Sequence, residues 1–115
     1  MTREEAIKYG CFDRYNPEGK TPLKYDEFKE YEVEVNNSWH NQLHRVFKFP
    51  NGLGASVIKH YGSYGFEKDL FELAVVRWIS NDNYELEYRT EITNNVIGWL
   101  TNDDVLKLLE RIKNL

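Results

Sequence analysis

Cysteine is almost missing from this chain: Cys11 is the single one in 115 residues, so no internal disulfide can form and a packed core must supply the stability. Long apolar runs are missing too. Nothing approaches the ~20 residues of a membrane span or the charged-then-apolar pattern of a signal peptide. No membrane association is therefore expected, and the cytoplasm is the expected compartment. A surplus of positive charge is also absent, because 15 basic residues stand against 19 acidic ones for a net charge of −4. That balance leaves no electrostatic footprint for general nucleic-acid binding. No internal repeat, low-complexity tract or linker divides the sequence.

What is present suits one globular domain over residues 1–115. The chain is 41% hydrophobic, 15% aromatic and 30% charged, and at this length folding buries roughly 65% of the unfolded surface. Arg45 to Tyr61, RVFKFPNGLGASVIKHY, places Asn51-Gly52 between two β-rich segments, and both residues tolerate the positive φ of a tight hairpin. Tyr31, Val33 and Val35 alternate with Glu32 and Glu34, which predicts a first strand over 31–36. Leu70 to Ile79 is apolar on both faces, as an interior strand requires. Tyr84, Leu86 and Tyr88 alternate with Glu85, Glu87 and Arg89 as an outermost strand. Thr2 with Glu5 has capping-box spacing and Gly10 offers a stop, so a short helix is expected over 3–9. A helical turn is expected within 22–29. Thr101 and Asp104 form a second capping box, followed by Val105, Leu108, Leu109 and Ile112 at helical spacing. The fold class is thus α+β: an antiparallel meander of four to five strands, with the C-terminal helix on one face and a short N-terminal helix.

The strings FPNGLGASVI, LFELAVVRW and VIGWLTNDDVLKLLERIKNL resemble a family of small proteins encoded by bacteriophages and mobile elements. That family is built around a Phe-Pro-Asn-Gly-x-Gly-Ala-Ser-Val hairpin and a closing Leu-Thr helix start. The match covers about 48–115, and the first forty residues fall outside it. The resemblance implies a phage accessory role in the host cytoplasm and brings no catalytic residues with it.

Few residues announce chemistry. His40-Asn41-Gln42-Leu43-His44 has the histidine spacing of a zinc-protease helix, but Asn41 stands where that motif needs a glutamate base. On a strand the two rings would be roughly 13 Å apart, too far for one ion. A three-residue hairpin connection sets His60 directly opposite His44, whereas two or four residues put them on opposite faces. Cys11 has no base in an ordered signature to activate it. Gly52-Leu53-Gly54 lacks the strand-to-helix context of a phosphate cradle. No catalytic residue, metal or cofactor is therefore expected.

Two constellations carry functional interest. Trp39, His60, Tyr61, Tyr64 and Phe66 gather aromatic side chains around a glycine-rich connection, a composition suited to recognition of a protein partner. Glu30, Glu32, Glu34, Glu85 and Glu87 recur at about the phosphate spacing of a nucleic-acid strand. The plainer reading of these carboxylates is a solvated outer face, paired across strands with Arg77, Arg89, Lys48 or Lys59. The favoured function is a non-enzymatic phage protein that occupies a host protein, for instance a defence component. A small-ligand binder or small enzyme, and a module that binds or mimics nucleic acid, are the alternatives.

Overall fold

The computed structural model describes residues 21–34, 44–60, 62–93 and 95–115. The expected N-terminal helix over 3–9, Cys11, Trp39, His40 and Tyr61 lie outside the described residues. Among the described residues, six antiparallel strands form one sheet: β1 (Glu32–Val33), β2 (His44–Lys48), β3 (Leu53–Ile58), β4 (Phe71–Trp78), β5 (Tyr84–Leu86) and β6 (Ile97–Leu100). The order is β1-β2-β3-β4-β5, and β6 also pairs with β4. The class is α+β, as the patterning implies. The helical turn is a 3₁₀ segment, Asp26–Tyr31, rather than the 22–29 expectation.

The helix α1 (Asn102–Lys113) begins with the capping box at Thr101. The Asp104 N–H donates to Thr101 Oγ1 at 3.1 Å and the Thr101 N–H to Asp104 Oδ2 at 3.0 Å. These bonds satisfy two backbone donors that the first turn would otherwise leave open. They also hold the Asp104 carboxyl below the usual carboxylate range. Val105, Leu109 and Ile112 are buried against Phe47, Phe49, Val57, Leu73 and Val75, all of which share one face of the sheet. Tyr25 and Phe28 close the same core. The Tyr25 ring meets Phe47 edge-on at 5.5 Å and Phe28 meets Phe49 at 6.4 Å. Val75 is fully buried at the centre of β4, the interior strand.

The β2–β3 hairpin differs in detail from a two-residue Asn-Gly turn. Phe49 N–H bonds Leu53 O and Gly52 N–H bonds Phe49 O, so the connection is Pro50, Asn51 and Gly52. Gly52 alone carries positive φ, at 86°. Proline pre-sets the first turn position, and glycine takes the left-handed one without strain. This frees the Asn51 side chain. Its Oδ1 accepts from the Leu53 N–H at 3.0 Å, and its Nδ2 donates to Ile112 O at 2.8 Å and to the Lys113 and Leu115 carbonyls at 3.2 Å. One amide therefore caps the C-terminus of α1 from the sheet. Although this connection has three residues, it is centred on Asn51 and not on Gly52, so His44 stands opposite Ile58 and His60 falls two positions beyond it, not directly across as expected.

On the other side of β4 the edge is shared end to end. β5 covers Val76–Trp78, Glu87 N–H bonds Val75 O, and the chain then leaves the edge and returns with Ile97 opposite Leu73. Strand β6 is an addition to the expected meander. The departure changes the role of Glu87, which is 6% exposed rather than solvating an outer face. Arg89 folds back on it, donating from Nε at 2.9 Å, Nη2 at 3.1 Å and its backbone N–H at 3.0 Å. Arg77 Nε approaches the same carboxylate at 3.3 Å. The bonds from Arg89 draw the Glu87 carboxyl down to about 2.

Candidate functional site

The segment joining β3 to β4 folds tightly upon itself. Ser63 N–H bonds His60 O, Phe66 N–H bonds Ser63 O, and Leu70 N–H bonds Gly65 O. Ser63 Oγ also accepts from the His60 N–H and donates to the His60 carbonyl. Phe66 begins a 3₁₀ turn, Phe66–Lys68, and is 2% exposed. It anchors the loop from beneath, so it is not available as a contact residue.

An ion pair between a buried lysine and a half-buried aspartate closes the base of this loop. Lys59, 1% exposed, donates from Nζ to Asp69 Oδ1 and to Thr21 O, each at 2.8 Å, and lies 3.8 Å from the Phe71 ring centroid. A buried ammonium needs such a partner set to offset its lost hydration. Asp69 also accepts from the Thr21 N–H and hydroxyl, both at 2.8 Å. Burial pushes its carboxyl up, but Lys59 and the two Thr21 donors outweigh this and hold it below its ordinary value. Lys59 precedes the loop and Asp69 follows it, so the pair ties both ends together.

Tyr64 projects from the loop and is 53% exposed. Its N–H bonds Glu72 Oε1 at 3.1 Å and its carbonyl accepts from the Trp99 N–H at 3.3 Å. The Tyr64 and Trp99 rings stack with centroids 5.3 Å apart and planes inclined by 25°. Trp99 is 59% exposed, the highest figure for a large apolar residue among those described.

The local backbone explains that exposure. Phe71 pairs with Leu100 but Leu73 pairs with Ile97, so β6 holds one residue more than β4 between the two pairings. Gly98 and Trp99 together oppose Glu72, forming a β-bulge. The extra residue lets Ile97 and Leu100 both pack on the core while Trp99 turns to solvent. Trp99 has φ of 56° and is, with Asp69, one of two non-glycine residues at positive φ among those described. Gly98 permits the close approach: a Cβ there would lie 2.3 Å from Tyr64 Cβ. Beside the rings is a shallow depression of about 240 Å³ lined also by Ser63, Gly65, Glu67 and Lys68.

Of the aromatic constellation, Tyr64 thus lies on an exposed surface, Phe66 lies beneath it, and His60 braces the loop through its backbone. Trp99 was not among the sequence candidates. Glycine followed by tryptophan inside an apolar segment was its signal, since a strand glycine often marks a bulge. The acidic set is divided. Glu85 is bonded to Arg77, Glu87 to Arg89 and Arg77, and Glu32 to Arg45 at 3.5 Å, whereas Glu30 and Glu34 are exposed. His44 is buried, with Nε2 3.0 Å from Ser56 Oγ. Among the described residues, no group of three or more His, Cys, Asp or Glu is placed to hold a metal ion, and no helix is long and apolar enough to cross a membrane. The chain matches no protein-family model, no curated protein and no solved structure.

Proposed function

We propose that this chain is a non-enzymatic accessory protein of bacteriophage type that acts in the host cytoplasm by occupying a host protein. In its specific form the partner is a component of bacterial defence, and the contact surface is the Tyr64–Trp99 pair. The observation that carries the reading is the left-handed Trp99 on its bulge, stacked on Tyr64 and still largely exposed. A bulky residue at positive φ costs on the order of 1–3 kcal/mol, so such strain persists where the surroundings impose it and often where function uses it. Exposed tryptophan and tyrosine with restricted rotamers supply large contact area at little entropic cost, the usual makeup of an interface anchor. The hydrogen-bonded loop beneath them lowers the ordering cost of binding further.

Affinity capture from a bacterial lysate tests the reading, with the wild-type chain compared with Trp99→Ala, Tyr64→Ala and Gly98→Ala. The Gly98 variant keeps both rings but forces Tyr64 aside, at a cost of about 1–3 kcal/mol from overpacking. Loss of the same partner in all three, with cooperative melting retained, supports the platform. A partner retained by all three refutes it. If capture is lost only when the exposed carboxylates Glu30, Glu32, Glu34 and Glu85 are changed to Gln, the acidic face is the contact surface and the nucleic-acid-mimic reading replaces this one.

A further inference from the structure

Resting on the reading of Tyr64–Trp99 as the contact surface, we infer that the platform receives a cationic side chain, an arginine or lysine on an extended basic segment of the partner. Five other rings among the described residues carry a cation. Lys59 lies over Phe71 at 3.8 Å, Lys48 over Trp78 at 5.5 Å, Arg45 over Tyr25 at 5.9 Å, and Lys113 over both Tyr31 at 5.6 Å and Phe28 at 5.8 Å. Among the described residues no lysine or arginine lies over Trp99. Its indole is the strongest π-acceptor type for a cation, and it faces solvent.

Charge also favours a cation. Glu67 is exposed and lines the depression beside the rings, while Glu72 lies just behind, fixed on the Tyr64 N–H. Lys68 lines the same depression, so the immediate site is close to neutral and the chain's net charge of −4 supplies the long-range attraction. A basic segment is steered toward such a surface and an anionic one is repelled. The ring geometry favours a flat group. Tyr64 and Trp99 stack on each other at 25° rather than facing across a gap, so they do not form an enclosing cage. An open platform fits a planar guanidinium laid flat on the indole, with a carboxylate beside it to accept its N–H groups.

The test uses the full chain and three small probes: N-acetyl-arginine amide, N-acetyl-citrulline amide, which keeps the shape without the charge, and methyl β-glucoside. Binding is read from the Trp99 indole N–H resonance in NMR titrations, assigned against Trp99→Phe. The expected result is saturable arginine binding at a Kd of about 1–10 mM, with citrulline about three- to fivefold weaker, the difference one exposed cation–π contact supplies. Glu67→Gln should weaken arginine binding about twofold at low salt, and added salt should remove that difference. Equal binding of arginine and citrulline, tighter binding of the glucoside, or an unshifted Trp99 resonance overturns the inference. The parent reading fails separately. Partner capture lost in Trp99→Ala while arginine and citrulline bind alike removes the cation and leaves the platform. Capture that survives Trp99→Ala removes both.

Discussion

Replacing Trp99 by alanine and, separately, by glycine distinguishes a strained platform residue from an ordinary exposed one. Either change removes the stack on Tyr64, which is worth about 0.5–1.5 kcal/mol beyond area burial. The variants then diverge. Alanine must still adopt φ of 56°, which a Cβ makes unfavourable, whereas glycine occupies that region without strain. Left-handed backbone costs a non-glycine residue roughly 1–2 kcal/mol, and the extra freedom of glycine in the unfolded chain returns about 0.5–1 kcal/mol of that. Trp99→Gly should therefore be more stable than Trp99→Ala by about 0.5–1 kcal/mol, and close to the wild type. For a domain of this size that difference is about 2–6 °C in Tm. Calorimetry or urea unfolding on the three proteins measures it. Both variants should lose partner capture equally, so Trp99→Gly separates the two properties, with stability kept near wild type and binding lost. A glycine variant less stable than the alanine variant would refute the claim that the bulge holds Trp99 under strain.

The Asn51 cap gives a second prediction. Asn51→Ala should cost about 1–3 kcal/mol by opening the last carbonyls of α1, and Asn51→Asp should be no better, since it sets a negative charge at the negative end of the helix; an Asp variant as stable as wild type in urea unfolding would show the cap to be idle. Acid stability gives a third. The Glu87 carboxyl is held near 2 in the folded protein against an ordinary 4.5, so the unfolded chain takes up its proton first and acid favours unfolding. Stability should be level above about pH 5 and fall between about 4.5 and 2, with Asp69, Asp104 and Glu110 contributing in the same direction. Glu87→Gln should flatten that fall when unfolding is followed across pH, and an unchanged profile would remove Glu87 from the account.

The elements that could be read from sequence are those whose signal is local. The capping box at Thr101 and the apolar spacing of Val105, Leu109 and Ile112 specify α1 within twelve residues. The two-sided apolar run over 70–79 specifies an interior strand in the same way. Strand β6 escaped because Ile97 and Leu100 both face the core although three residues apart. No period-two pattern contains that spacing, and the bulge that allows it depends on Tyr64 and Glu72, distant in sequence. The pairing of Glu87 with Arg89 and Arg77 follows the sequence expectation, but the burial of Glu87 and Lys59 does not. Each is a charged residue just past the end of an alternating segment, where exposure is the ordinary expectation. Their burial follows from partners that the topology delivers, Arg89 and Arg77 for one and Asp69 with Thr21 for the other.

The same contrast separates the hairpin motif from the candidate site. Pro50, Asn51 and Gly52 are each consumed by folding, as turn former, helix cap and left-handed hinge, so the Phe-Pro-Asn-Gly segment needs no ligand to explain it. The 60–69 loop and the bulge are different in kind. A buried ammonium at the base of the loop and a positive-φ tryptophan at its rim both run against stability taken alone. Both are spent on one outcome, an aromatic pair held rigidly in water. Glycine at 99 would relieve the backbone strain, and a tryptophan turned inward would bury its apolar surface. Retention of the opposite arrangement is the physical reason to look for the partner at Trp99 before any other part of the surface.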